Sequence, residues 1–469
     1  MNRNSDSIPS EIYFVGAGGI GMANLVRYYL AKGARVAGYD RAETDLTRAL
    51  CAEGALIGHT DSPEAIPEGF DNPEKTLVVY TPAVPADSLL LCHFREKGFE
   101  MVKRAALLGR ITRHSRAICV AGSHGKTTTS SMIANILRDT PQGCNAFLGG
   151  ILRNTGSNLV LGKPDSWSVI EADEYDRSFH HLTPEIAVIT STDPDHLDIY
   201  GDEEGYLEGF AHFTELIRPS GLLLLHTGLK LRPRTAAGVK VQTYSATDSE
   251  ADWHVSDIVY ASGSLTFTLE GPEGLRIEGL SPGVPVAINI DNAVAAAAAA
   301  LTAGATADEV RRGLSTFKGA KRRFEIWLNG IDNADGHVLI DDYAHSPGEV
   351  KASIESVRRL YPGRRLSVIF QPHLYTRTRD FADGFAEALS SADEVILTEI
   401  YPARELPIPG VDSQMILKQI KNTDIFFCKR NDLLDKVKNT NFEILMTLGA
   451  ADLDVLLPDI RRTLEAKTV

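Results

Sequence analysis

The feature that most constrains this chain is the run Gly122-Ser123-His124-Gly125-Lys126-Thr127-Thr128-Thr129. It is entered from the apolar stretch AICVA and left through the helix-like stretch SSMIANIL. A strand that turns on glycines straight into a helix gathers backbone N–H groups and the positive end of the helix dipole in one place. The Lys126 ammonium beside them, and a Thr127 hydroxyl within reach of a divalent cation, make that place suit a triphosphate. The usual P-loop spacing would put its first glycine at position 120, which is Val120. The compact GxxGKT form therefore marks a distinct phosphate loop. A glycine turn with a solvated lysine is the alternative, and the strand–turn–helix context weighs against it.

Two acidic segments belong with that loop. Glu171-Ala172-Asp173-Glu174-Tyr175-Asp176 follows the apolar run WSVI, and Asp193-Pro194-Asp195-His196-Leu197-Asp198 follows AVIT. Both fall at the carboxyl ends of expected strands, where open parallel sheets bind ligands. Carboxylates with one neutral imidazole suit a hard cation beside phosphate. Taken singly, each segment reads as readily as a helix cap or a solvated turn. The edge they share with Lys126 favours the functional reading.

A second glycine turn lies near the start. Gly16-Ala17-Gly18-Gly19-Ile20-Gly21 matches GxGxxG between EIYFV and a helical stretch, and Asp40 ends the next strand at the spacing of a ribose-binding acid. On its own this describes a nucleotide or dinucleotide site, or a tight structural turn. Strand–helix alternation continues to about Arg113 and resumes from Lys321 in HVLIDDYA, RLSVIFQP, EVILTEIY and FEILMTLGAA. Between Gly238 and Ile288 the strands VQTYSA, HVSDIVYA, SLTFTLE and LRIEGL are short and alternating, which predicts a small antiparallel sheet. An alanine-rich helix follows from about Asn292. At 469 residues the chain is too long for one core. The expected fold is α/β in three domains: a Rossmann-like domain over 1–113, a central P-loop-type α/β domain over 114–320 carrying the small antiparallel sheet, and a Rossmann-like domain over 321–469. In the last of these, Asp341-Asp342-Tyr343-Ala344-His345-Ser346-Pro347 and the loop FQPHLYTRTRD both end strands. The arginines Arg377 and Arg379 there suit a phosphate or carboxylate.

The net charge of -14, from 48 basic and 62 acidic residues, argues against a general nucleic-acid binder. Anionic substrates remain compatible with a local basic pocket. Cysteines at 51, 92, 119, 144 and 428 form no CxxC pair, which argues against a zinc knuckle or a disulfide framework. The polar opening MNRNSDSIPS lacks the apolar core of a signal peptide, and the apolar stretch Ala293 to Leu301 falls short of the roughly 20 residues that span a bilayer. A cytoplasmic protein with no membrane partner is expected.

Taken together, the motifs resemble the Mur ligase family. AGSHGKTTT resembles its phosphate loop, EADEYD and DPDHLD its metal loops, Asn289-Ile290-Asp291-Asn292 its paired asparagines, Lys321-Arg322-Arg323-Phe324-Glu325 its junction to the third domain, and IDDYAHSP its adenosine-side loop. GAGGIGM, Gly58-His59, YAHSP and FQPHLYTRTRD resemble the branch that adds L-alanine to UDP-N-acetylmuramate. The resemblance runs from about residue 12 to 452, and it implies an ATP- and Mg²⁺-dependent ligase of peptidoglycan precursor synthesis, a monomer or weak homodimer. It assigns ATP to Gly122, Ser123, His124, Gly125, Lys126, Thr127, Thr128, Asn292, Arg323 and Asp342, and Mg²⁺ to Thr127, Glu171 and His196. UDP goes to Gly18, Gly19, Ile20, Gly21, Asp40, His59, Thr81 and Arg104. The amino acid and its carboxylate partner go to His345, His373, Arg377 and Arg379. The N-terminal glycine motif is thereby expected to hold UDP rather than NAD. The chain departs from the family at Ser123, at Ser191-Thr192-Asp193 and at Leu374, where threonine, an Asn-x-Glu pattern and arginine are usual. Two rivals are a recycling ligase that joins UDP-N-acetylmuramate to a tripeptide, and an NAD-dependent oxidoreductase built on GAGGIGM and Asp40. The second leaves the phosphate loop and both acidic segments unused.

Overall fold

The computed structural model describes residues 9–467 apart from 262–263, 331–335, 404 and 422–423. The opening MNRNSDSI, expected to lack a signal-peptide core, lies outside the described residues. The chain divides into two compact units, one of 1–151, 155–254 and 294–313, the other of 152–154, 255–293 and 314–469.

The first unit holds two sheets. Strands β1 (Glu11–Val15), β2 (Arg35–Tyr39), β3 (Leu56–Gly58), β4 (Thr76–Tyr80) and β5 (Glu100–Lys103) form a parallel sheet in the order β3-β2-β1-β4-β5. β6 (Ala117–Ala121), β7 (Cys144–Leu152), β8 (Ser157–Val160), β9 (Trp167–Glu171), β10 (Ile186–Ile189), β11 (Leu222–His226) and β12 (Lys240–Tyr244) form the second, in the order β12-β11-β10-β6-β9-β7-β8. β1 is buried along its whole length, as are β6 and β10, so their apolar runs show no alternation. One hydrophobic core runs from Ile12 and Phe14 through Phe147 and Phe179 to Phe213 and Leu223, joining the two sheets within this unit.

VQTYSA departs from expectation. It forms β12 and pairs parallel with β11, Val241 opposite Leu223, and so is not part of the small antiparallel sheet. β12 is the edge strand of its sheet and goes from exposed Lys240 and Val241 to buried Tyr244, and alternation in the sequence does not fix strand direction. HVSDIVYA, SLTFTLE and LRIEGL do form the three-stranded sheet β13 (His254–Ala261), β14 (Ser264–Gly271) and β15 (Leu275–Leu280), in which β14 and β15 are antiparallel. That sheet falls in the second unit.

The second unit also holds β16 (Glu325–Asn329), β17 (Val338–Asp342), β18 (Leu366–Phe370), β19 (Glu394–Leu397), β20 (Asp424–Phe427) and β21 (Ile444–Leu448), in the order β16-β17-β21-β18-β19-β20. β16 is antiparallel to β17, and the other pairings are parallel. No helix among the described residues is long and apolar enough to cross a membrane.

Candidate active site

Register alone brings the N-terminal residues together. Val15 pairs with Tyr39 and with Tyr80, Tyr39 with Gly58, and Tyr80 with Lys103. Gly16, Asp40, His59, Thr81 and Arg104 are therefore the next residues along five aligned strands. Gly16 has φ +89°, and a Cβ there would lie 2.6 Å from Thr81 Cγ2. Gly18 N donates to Asp40 Oδ2 at 2.7 Å, and His59 Nδ1 lies 2.8 Å from Asp40 O. A Cβ on Gly21 would meet the Arg104 guanidinium at 2.8 Å. Gly16, Gly19, Ile20, Asp40, Thr81 and Arg104 line a cavity of about 800 Å³. It is also lined by Gly149 and Glu171 of the second sheet and by Asp173 just beyond β9. Arg104 Nη2 lies 3.9 Å from Asp173 Oδ2.

The phosphate loop leaves β6 where the strand order changes direction, with β10 on one side and β9 on the other. Ala121 is opposite Ile189, and Val120 is opposite Glu171. Both acidic segments are thereby set beside the loop, at the edge where such sheets bind ligands. Gly125 caps the helix Lys126–Leu137 in the left-handed region (φ +80°). Gly122 has φ +142°, and any Cβ would lie 2.1 Å from Thr190 Oγ1. Thr127 and Thr128 occupy the first turn, half-buried.

Two of the departures from the family pattern, at Ser123 and at Ser191-Thr192-Asp193, fasten this loop. Ser123 Oγ donates to Asp193 O at 2.5 Å and lies 3.0 Å from Tyr206 Oη, and His124 N donates to Ser191 Oγ at 2.7 Å. Lys126 Nζ donates to Gly122 O and, at 2.9 Å, to Glu174 Oε1. In the sequence Glu174 is visible only as one acid of the cluster EADEYD. Its pairing with Lys126 spans 48 positions and follows from strand register.

Thr127 Oγ1 donates to Glu171 Oε1 at 2.9 Å. A hydroxyl and a carboxylate so close offer two hard oxygen donors, the kind of protein set Mg²⁺ takes while keeping water and phosphate oxygens for its remaining positions. The residues fit that cation. The His196 ring packs edge-on against Tyr175 at 5.1 Å and lies 3.8 Å from Asp195 Oδ1. Among the described residues no three His, Cys, Asp or Glu side chains converge as a ready metal cluster.

In the second unit, Asn292 Nδ2 donates to Asn289 Oδ1 at 3.1 Å, and both residues are buried. The Arg323 guanidinium lies 5.1 Å from the Tyr343 ring centre. Asp342 is buried, and accepts from Phe324 N at 3.2 Å and from Ser353 Oγ. Burial pushes its carboxyl upward, opposed by those donors and by Arg323. His345 donates its backbone N–H to Glu349 Oε2 at 3.0 Å, and burial holds its imidazole below the ordinary range, so it stays neutral near pH 7. Arg377 Nη1 lies 3.4 Å from His373 Nδ1, and the His373 ring stacks on Tyr401. Arg379 points elsewhere, pairing with Asp380 at 2.7 Å on the exposed surface. Leu374 has φ +71° at the start of the helix Tyr375–Leu389, and its N–H donates to Tyr401 O at 3.0 Å.

A strand-end ligand cavity that reaches the carboxylate beside a lysine-bearing phosphate loop defines the class, an α/β phosphate-handling enzyme. The model of the Mur ligase family, catalytic domain, matches residues 11–116, that of the Mur ligase middle domain 120–300, and that of the Mur ligase, glutamate ligase domain, 322–445. The chain is 53% identical over 455 residues to the UDP-N-acetylmuramate–L-alanine ligase of Parabacteroides distasonis, covering 97% of each. It is 49% identical over 456 residues to that of Porphyromonas gingivalis, covering 97% of this chain and 99% of the relative. Among solved structures it is similar to a UDP-N-acetylmuramate–alanine ligase from Thermotoga maritima, with TM-score 0.75 and 26% identity over 97% of this chain and 99% of that one. A murein peptide ligase from Psychrobacter arcticus shares the fold at TM-score 0.62 and 21% identity, covering 97% and 99%. The chain belongs to the Mur ligase family.

Proposed function

We propose that this protein is an ATP-dependent ligase joining L-alanine to the carboxylate of UDP-N-acetylmuramate, a step of peptidoglycan precursor synthesis in the cytoplasm. The observation that carries this reading is the cavity of about 800 Å³ lined both by the strand-end residues Asp40, Thr81 and Arg104 and by Glu171 beside the phosphate loop. A nucleotide sugar held by the strand-end residues can present its acid to the Glu171 side of the same cavity. The relatives that are 49% and 53% identical carry the activity in their names.

A carboxylate and an amine do not condense in water until the carboxylate carries a leaving group. In the first step the muramoyl carboxylate attacks the γ-phosphorus of ATP and ADP departs, leaving an acyl phosphate. In the second, the alanine amine attacks the acyl carbon, phosphate leaves and the amine gives up a proton. Negative charge gathers on the transferring phosphoryl group, so positive charge and N–H donors provide the catalysis. The amides of Gly122 to Thr128 and the Lys126 ammonium supply them. Mg²⁺ on Thr127 and Glu171, with His196 as a further ligand, would neutralise the remaining phosphate charge. Gly18, Gly19, Ile20, Gly21, Asp40, His59, Thr81 and Arg104 hold the UDP end. Asn292, Arg323 and Asp342 serve the nucleotide. His345, neutral, with His373 and Arg377 serves the amino acid. The working domains are 1–113, 114–320 and 321–469.

The test is ADP release with UDP-N-acetylmuramate and each amino acid in turn, with a murein tripeptide as a further acceptor. Release with L-alanine at the highest kcat/KM supports the reading, and release with the tripeptide alone would replace it by the recycling reaction.

A further inference from the structure

Glu174 is a buried carboxylate at the phosphate loop with only one oxygen in use. It is 2% exposed, Oε1 accepts from Lys126 Nζ at 2.9 Å, and Oε2 has no hydrogen-bond partner among the described residues. Its neighbour Glu171 shows the contrast, with Thr127 Oγ1 on one oxygen and Gly149 N on the other. Buried polar atoms are satisfied almost everywhere in folded proteins, so a half-satisfied buried carboxylate is poorly explained by stability. Beside an anion-binding loop, its charge also opposes the ligand.

The backbone holds Glu174 in place independently of the lysine. Its carbonyl accepts from Tyr200 Oη at 2.6 Å and from Arg177 N at 3.0 Å, and Tyr175 N donates to Asp173 Oδ1 at 3.0 Å. An anchored backbone and a side chain 2% exposed together restrict the carboxylate against which the flexible lysine is set. An ammonium has three N–H donors. One goes to Gly122 O and one to Glu174 Oε1, while the third has only a long contact of 3.4 Å to Ser123 O. Gly122 and Ser123 belong to the loop itself, so Glu174 is the reference from outside it.

We propose that Glu174 is a positioning residue that aims Lys126, holding one ammonium N–H so that the weakly used third is left for a phosphate oxygen. The proposal rests on the reading of Lys126 as the phosphoryl-binding lysine. What matters is an acceptor at the Oε1 position, more than the negative charge. Glu174→Gln keeps that acceptor without the charge. Glu174→Asp keeps the charge but withdraws it by one methylene, and Glu174→Ala removes both.

The experiment measures kcat and apparent KM for ATP by ADP release, with a thermal melt of each variant and Lys126→Ala run alongside. Glu174→Gln is expected to stay within about threefold of the parent kcat, while Glu174→Asp and Glu174→Ala fall about 10- to 100-fold with the ATP KM nearly unchanged. Glu174→Asp at parent speed, Glu174→Gln as slow as Glu174→Asp, or a loss confined to KM would each overturn the proposal. If Glu174→Ala fails to fold, the Gln and Asp pair still decides. An active Lys126→Ala enzyme would instead remove the underlying reading of the loop. An inactive one beside fully active Asp and Ala variants at 174 would remove only the positioning role.

Discussion

Thr127 Oγ1 and Glu171 Oε1 are 2.9 Å apart, a bond that ties the first turn of the helix after the phosphate loop to the end of β9. Glu171 also takes Gly149 N at 2.8 Å, and desolvation pushes its carboxyl above the ordinary range against the pull of those donors and of Lys126. A carboxylate in that state gains most from a cation, since burial has already removed the water that would otherwise solvate its charge.

Glu171→Gln should therefore raise the Mg²⁺ concentration that half-saturates activity, by at least roughly 10-fold, the low end of what even ligand-supporting groups cost. His196→Ala should shift it in the same direction. Titrating activity with Mg²⁺ at fixed ATP checks both. For His196, an unchanged Mg²⁺ dependence accompanied by a displaced pH profile would assign proton transfer instead.

Lys126→Ala should lower turnover by at least about 10³-fold, the scale of other groups that stabilise phosphoryl charge. UDP-N-acetylmuramate affinity should hold, because Asp40, Thr81 and Arg104, which are assigned to its UDP end, follow strands of the first sheet, while Lys126 follows β6 of the second. Calorimetric titration with the UDP-sugar, next to the ADP-release rate, separates the two effects. Turnover within tenfold of the parent would sink the phosphate-loop reading.

Much of this site is legible in the chain because its parts are local. GAGGIG and GSHGKT each declare a strand, a turn and a helix within a dozen residues, and register then carries Asp40, His59, Thr81 and Arg104 to one edge. What escaped was non-local. Glu174 meets Lys126 only because β9 pairs with β6, and Ser191 meets His124 only because β10 does. VQTYSA departs from expectation for a related reason, since alternation in a sequence says nothing of the partner strand's direction.

Asp341 gives the fold a pH dependence. It is fully buried, and although Arg322 and Thr447 Oγ1 hold its carboxylate, desolvation outweighs them and lifts its carboxyl from 3.8 to about 6. The folded state then binds the proton more tightly than the unfolded chain. Stability from this group is intact below about pH 4 and is lost as pH rises through about 6, by up to about 3 kcal/mol. Asp341→Asn cannot titrate, so its stability relative to the parent should climb between pH 4.5 and pH 7 in urea unfolding. A difference that stays constant with pH would show that Asp341 titrates alike in both states.

The two arginines of FQPHLYTRTRD separate in the structure, and so should their variants. Arg377 sits half-buried, with Nη1 3.4 Å from His373 Nδ1, and lowers the imidazole of His345 by its charge, so it belongs to the group around those histidines. Arg379 is engaged with Asp380 at the surface. A guanidinium forms a bidentate pair with a carboxylate, which alanine carries and ATP lacks. Losing such a charge-assisted pair costs about 1.5–3 kcal/mol, roughly 10- to 150-fold in affinity or rate. Arg377→Ala should therefore raise the apparent KM for L-alanine by that factor and leave the ATP constant almost unmoved, while Arg379→Ala stays close to the parent on both. Exposed pairs such as Arg379 with Asp380 contribute little, so its loss should also leave the melting temperature unchanged. Leu374 bears on the outcome, because its left-handed backbone starts the helix that carries Arg377. Equal losses toward alanine and ATP at Arg377 would mean that it supports the fold of this loop rather than the amino acid. A larger alanine effect at Arg379 would move the carboxylate contact two residues along the helix.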